Sequence, residues 1–139
     1  MRLMSSMPRV ADVMTRTPVV VEIDAPVVEA QDLMVDHEIR HLPVVEAGKL
    51  AGIVSDRDVA ALENDADAAE LAASLRVREI CSLNHYSVAP DSPLDDVLME
   101  MAERRIGSVV VAQANEVVGV FTATDACRVF AQHLRERSD

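Results

Sequence analysis

The sequence predicts an α/β (α+β) fold of two tandem repeats, each strand-helix-strand-strand-helix, packed with pseudo-two-fold symmetry. Three observations predict it. The chain aligns with itself without a gap at one offset, since Gly52 falls on Gly119 and Asp58 on Asp125, 67 residues on (119 − 52). Turn-forming and apolar landmarks keep that register: Val10/Val77, Val21/Val88, Asp24/Asp91, Pro26/Pro93, Met34/Met101, Ile39/Ile106 and Val44/Val111. Finally, both copies close on one motif, Gly-h-h-[Ser/Thr]-x-x-Asp, at Gly52–Asp58 and Gly119–Asp125 (h, apolar). A repeat too small to bury its own apolar face is stabilised by stacking on its neighbour.

Each copy opens with a short β-branched segment, Val19 to Val21 or Tyr86 to Val88, expected to be extended. A helix then starts with proline at its first position, after Ala25-Pro26 and Ser92-Pro93, and Ser92-x-x-Asp95 has the form of a capping box. Leu94, Val97, Leu98, Met101 and Ala102 share one helical face, as do Val27, Ala30, Met34 and Val35 in the first copy. Two strands follow in each copy, Leu42 to Val45 and Leu50 to Val54, then Val109 to Ala112 and Val117 to Phe121. Tight turns at Ala47-Gly48 and Ala114-Asn115 join them. A second helix begins at Ser55 or Thr122. The expected boundaries are an N-terminal extension at 1–9, repeat 1 at 10–62, a linker with a short helix (Leu71 to Leu75) at 63–76, repeat 2 at 77–134, and a tail at 135–139.

Half of the 139 residues are apolar, but the aromatics are only Tyr86, Phe121 and Phe130, so the core must be aliphatic. A net charge of −11 argues against non-specific binding to nucleic acid or anionic membrane. No apolar run approaches the ~20 residues that cross a bilayer, and the N-terminus lacks a signal-peptide core. Cys81 and Cys127 fit neither a disulfide framework nor a CxxC metal pattern, and read as reduced thiols of a cytoplasmic protein. No nucleophile–base pair, paired acids or phosphate-binding glycine loop is visible, so the chain reads as a non-enzyme.

Ser/Thr-x-x-Asp after a strand is first of all a helix cap. A capped helix start also presents free N–H groups to an anion, and a carboxylate there can accept ribose hydroxyls. The ligand reading of these residues is therefore compatible with the capping one.

The doubled motif, the Leu42-Pro43-Val44-Val45 strand and the repeat order together resemble a pair of cystathionine-β-synthase (CBS) repeats, a Bateman module, over about residues 10–130. The resemblance implies a stand-alone regulatory module that requires no cofactor. Its ligand would be an adenosyl compound, AMP, ADP, ATP or S-adenosylmethionine and sometimes NAD, held in clefts between the repeats. It also implies a homodimer and, since nearly the whole chain is module, output to an effector protein. By matching motif positions, Asp58 and Asp125 resemble ribose-binding aspartates, and Ser55 and Thr122 the phosphate-side hydroxyls. Val19, Val20 and Tyr86 match first-strand positions whose backbone meets adenine in the opposite repeat. Ile39-Arg40-His41 and Ile106-Gly107-Ser108 match the cleft-lining segment. Arg40, His41 and Arg57 make the first site cationic, whereas Gly107, Ser108 and Thr124 leave the second without a cation. A purely structural module with empty clefts is the alternative.

His37-Glu38-Ile39-Arg40-His41 also matches H-E-x-x-H, the metal-binding helix of zinc hydrolases. That chemistry needs both histidines on one helical face. Pro43 disfavours helix at Leu42, and the offset sets His41 opposite Ser108 at a strand entrance. No metal ligand is therefore expected.

Overall fold

The computed structural model describes residues 6–16 and 19–138. The chain divides into two compact units, one spanning 18–85 and the other combining 1–17 with 86–139. They are named here for their motif aspartates, the Asp58 unit and the Asp125 unit.

In the Asp58 unit, β2 (Val21–Glu22) runs parallel to β3 (His41–Glu46), with α2 (Val27–His37) as the connection, and β3 pairs antiparallel with β4 (Lys49–Ser55). Short helices α3 (Asp56–Ala60) and α4 (Ala68–Ser74) and a 3-10 turn (Val77–Glu79) complete it. The Asp125 unit repeats the plan. There β5 (Ser87–Val88) lies parallel to β6 (Ser108–Gln113), α5 (Leu94–Arg104) connects them, and β6 pairs with β7 (Glu116–Thr122), which leads into α6 (Ala123–Arg137). The hairpin strands extend one residue beyond the expected limits at each end. Both hairpins carry a register shift at the same repeat position, Val44/Val45 and Val111/Ala112. Their loops have positive φ at both central residues (Ala47 52°, Gly48 79°; Ala114 52°, Asn115 64°), the backbone that matches strand twist in a two-residue hairpin.

Several local expectations are corrected. The first strands are only two residues long, and Val19, Val20 and Tyr86 lie outside them. Pro26 and Pro93 are N-cap residues with extended ψ rather than first helical residues. The Ser92–Asp95 capping box does not form, because Asp95 Oδ1 accepts instead from the Asp96 N–H at 2.9 Å. Val35 and Ala102 are exposed, so the apolar stripes are narrower than expected.

Segments N-terminal to each repeat's helix are exchanged. Helix α1 (Val10–Val13) and strand β1 (Thr15–Arg16) belong to the Asp125 unit, where Thr15 pairs with Val120. Their counterparts one repeat later belong to the Asp58 unit, where Ser82 bridges Ile53. Val10 and Val77, equivalent by the offset, are each fully buried in the core of the unit they join. Each segment is anchored in the same way. Val10 N–H donates to Ser92 O at 2.9 Å and Val77 N–H to Ala25 O at 2.8 Å, and Arg9 and Arg76 donate to Asp91 O and Asp24 O. The matched acids Asp12 and Glu79 accept the Arg9 and Arg76 backbone N–H groups at 2.8 and 2.7 Å.

This exchange explains the motif glycine. A Cβ on Gly52 would lie 2.5 Å from the Ser82 carbonyl oxygen, and one on Gly119 would meet Met14 Sδ at 2.5 Å and Thr15 O at 2.9 Å. The glycines let the exchanged backbone pair against the hairpin.

Candidate ligand sites at the motif aspartates

In the Asp58 unit, strand register sets His41 opposite Ser55, and the Asp56 N–H donates to Arg40 O at 2.9 Å. The entrance of β3 and the start of α3 are thereby held together. Ser55 caps α3: its hydroxyl accepts from the Asp58 N–H at 3.2 Å and donates to Asp58 Oδ2 at 3.1 Å. The Ser55 N–H donates to the same Oδ2 at 2.8 Å, so the capping box uses one carboxylate oxygen only. Asp58 Oδ1 takes no hydrogen bond from the described residues. It therefore has lone pairs to offer to a diol.

Arg40 and Arg57 are exposed, and His41 and Ile39 are half-buried. Burial holds the His41 imidazole below the ordinary histidine value of 6.5, against the pull of the Asp56 and Asp58 carboxylates, while Arg40 and Arg57 push the same way as burial. Those interactions place Arg40, Arg57 and Asp58 within electrostatic reach of His41. Helix α3 has only five residues, so the free N–H groups expected to bind an anion have little helix behind them. The cationic side chains are the stronger anion-binding feature here.

The Asp125 unit reproduces the capping box: Thr122 N–H and hydroxyl reach Asp125 Oδ2 at 3.0 and 3.1 Å, and Asp125 N–H donates to the Thr122 hydroxyl at 3.2 Å. Register sets Ser108 opposite Thr122, and the Ala123 N–H donates to Gly107 O at 2.9 Å. Ile106 is half-buried against this unit's core. The departure is at Oδ1, which accepts from Arg128 at 3.0 Å and lies 3.5 Å from the Thr15 hydroxyl. Asp125 is buried where Asp58 is half-exposed. The expectation of a second site without a cation is thus corrected. Arg128 lies one helical turn beyond the motif, where the first repeat has Ala61, and Thr15 comes from the exchanged segment. An alignment of the repeats signals Arg128 as a mismatch, but nothing in the sequence shows that Thr15 joins this unit.

Val19 is half-buried against the Asp58 unit's core and Val20 is exposed. Tyr86 packs on the Asp125 unit's core, with the Arg104 guanidinium 4.6 Å from its ring centroid, and Arg104 is paired with Glu100 at 2.7 Å. Burial raises the Tyr86 phenol above its ordinary value.

The H-E-x-x-H match does not build a metal-binding helix face. Helix α2 ends at His37, Glu38 turns left-handed (φ 54°), the Ile39 N–H bonds back to Met34 O at 3.0 Å, and His41 begins β3. This is a Schellman-type helix stop. No group of three or more metal-ligating side chains occurs among the described residues.

Two repeats of one plan, each setting a serine or threonine and an aspartate at the end of a hairpin, define a tandem-repeat module. The CBS domain model matches residues 10–64 and 77–132, and the chain belongs to the CBS domain family. The CBS domain-containing protein YhcV of Bacillus subtilis is 32% identical over 119 residues, covering 86% of this chain and 83% of its own. An acetoin utilization protein (AcuB) structure from Vibrio cholerae superposes with a TM-score of 0.83 at 31% identity, covering 96% and 97% of the two chains. The CBS domain pair of protein MJ0100, solved with 5′-methylthioadenosine and S-adenosyl-L-methionine, gives 0.81 at 28% identity over 91% and 98%. CBSX2, solved with AMP, gives 0.76 at 25% identity over 89% and 96%. The chain is also 32% identical over 124 residues to L-aspartate semialdehyde sulfurtransferase of Methanocaldococcus jannaschii. It spans 87% of this chain but only 23% of that enzyme.

Proposed function

We propose that the chain is a regulatory sensor of adenosyl ligands, with Asp58 as the primary ribose acceptor. One observation carries this reading: the capping box occupies Asp58 Oδ2 and leaves Oδ1 open, near a His41 imidazole that the Asp58, Arg40 and Arg57 charges all reach. The ligand class is supported by the related CBS pairs solved with S-adenosyl-L-methionine, 5′-methylthioadenosine and AMP. In this reading Ser55 and Thr122 flank phosphate or its equivalent, Ile39, Ile106, Gly107 and Ser108 line the sites, and Val19, Val20 and Tyr86 meet the base.

The module acts without catalysis, in the cytoplasm, through an effector protein or its own oligomer. Helix α6 exposes Phe130 and Leu134 four residues apart, an apolar strip suited to a second copy of the chain. Light scattering at micromolar concentration is expected to give twice the 15.1 kDa chain mass, and a monomer would contradict self-association. Among the described residues no helix is long and apolar enough to cross a membrane.

Thermal denaturation with AMP, ADP, ATP or S-adenosylmethionine tests the ligand class. A compound present at about 100 times its Kd should add ~2.7 kcal/mol of stability. A melting temperature unmoved by every one of them at millimolar concentration would favour the structural alternative.

A further inference from the structure

We propose that Arg128 is a selectivity latch on the second site, holding Asp125 closed to a neutral nucleoside. The inference rests on the reading of Asp58 and Asp125 as ribose acceptors. A ribose diol is best held when a carboxylate oxygen has lone pairs free, and in both repeats Oδ2 is taken by the capping box. In the Asp125 unit the remaining oxygen is taken as well, by the Arg128 guanidinium at 3.0 Å, with the Thr15 hydroxyl at 3.5 Å. Asp125 is only 6% exposed, while the Arg128 side chain that reaches it remains 69% exposed.

That combination describes a movable cover. The arginine is anchored on a long helix and largely solvated, so it can swing away without unpacking any core. A neutral ribose must first break the pair at Oδ1, whereas an anionic group arriving alongside can take over the guanidinium. The Asp58 unit has no equivalent, because Ala61 occupies the matching position and lacks a side chain that could reach. The two sites then differ in kind. The Asp58 site accepts adenosine itself, and the Asp125 site discriminates in favour of its anionic derivatives.

The test is a 15N NMR titration with adenosine and, in parallel, AMP. The Asp56 and Asp58 amides report the first site, and the Ala123 and Asp125 amides the second. In the otherwise unaltered chain, R128A should tighten adenosine at the second site by about five- to tenfold, as expected for losing one competing charge-assisted contact partly screened by solvent. The gain for AMP should be smaller, because AMP loses a cationic partner. The reciprocal A61R, at the exposed C-cap of α3, should weaken adenosine at the first site by a similar factor and leave the second unchanged. Unchanged second-site affinity in R128A, with normal first-site binding, would overturn the latch and leave the ribose reading standing. Weaker adenosine binding there would make Arg128 a ligand contact and also overturn it. Adenosine and AMP silent at both sets of amides, in every variant, would overturn the ribose reading and the latch together.

Discussion

At the residue scale, each motif aspartate uses its two oxygens differently. Oδ2 completes the cap by accepting a backbone N–H and a hydroxyl, and Oδ1 is what remains for chemistry. In the proposed first site, His41 is expected to supply a pH dependence. Because burial lowers its folded value, the unfolded chain takes up more protons below the ordinary 6.5. Stability attributable to His41 is therefore present above that value and lost as pH falls through it and then through the folded value. Phosphate close to His41 favours the protonated ring. The preference for AMP over adenosine should consequently grow between pH 8 and pH 6, and His41→Gln should flatten the trend. Calorimetric titration of both ligands at the two pH values checks this, and an unchanged preference would remove His41 from the phosphate contacts.

At the element scale, the hairpins and their turns were legible because strand periodicity and turn residues are local signals. The doubled capping box was legible for the same reason, as Ser55 and Thr122 each precede an aspartate by three residues. Exchange of residues 9–16 and 76–82 was not legible. Nothing in Val10 or Val77 states which sheet will bury it, since that choice is settled by tertiary packing. It is visible afterwards in Gly52 and Gly119, whose missing side chains make room for the exchanged backbone. Gly52→Ala forces a Cβ to within 2.5 Å of the Ser82 carbonyl, a backbone atom that cannot rotate aside. It should cost about 1–3 kcal/mol, the range for overpacking. Chemical denaturation should show a lower midpoint. An unchanged midpoint would mean that the Ser82 segment is not firmly paired.

For the whole molecule, near-identity of plan coexists with divergence at the sites. Both repeats keep the parallel β-α-β step, the hairpin with its register shift, and the capped helix start. They part where the ligand would be read. The first repeat has Arg40, His41, Arg57 and an open Asp58 Oδ1, and the second has Gly107, Ser108 and Asp125 covered by Arg128. The sequence expressed the first half of that contrast through residue types at matched positions. It hid the second half, because pairing of Arg128 with Asp125 depends on a side chain's reach along α6. In the proposed sensor the two sites are unequal, and one is expected to fill before the other as ligand rises.

Calorimetric titration of AMP into the unaltered chain, Asp58→Asn and Asp125→Asn tests that claim most directly. Asparagine preserves the size of each aspartate, and circular dichroism establishes that the variants remain folded. The expected result is a tight phase lost in Asp58→Asn, by about 10-fold or more in Kd for one charge-assisted contact, and retained in Asp125→Asn. Equal losses in the two variants, or a tight phase that survives Asp58→Asn, would contradict the assignment of Asp58 as the primary ribose acceptor.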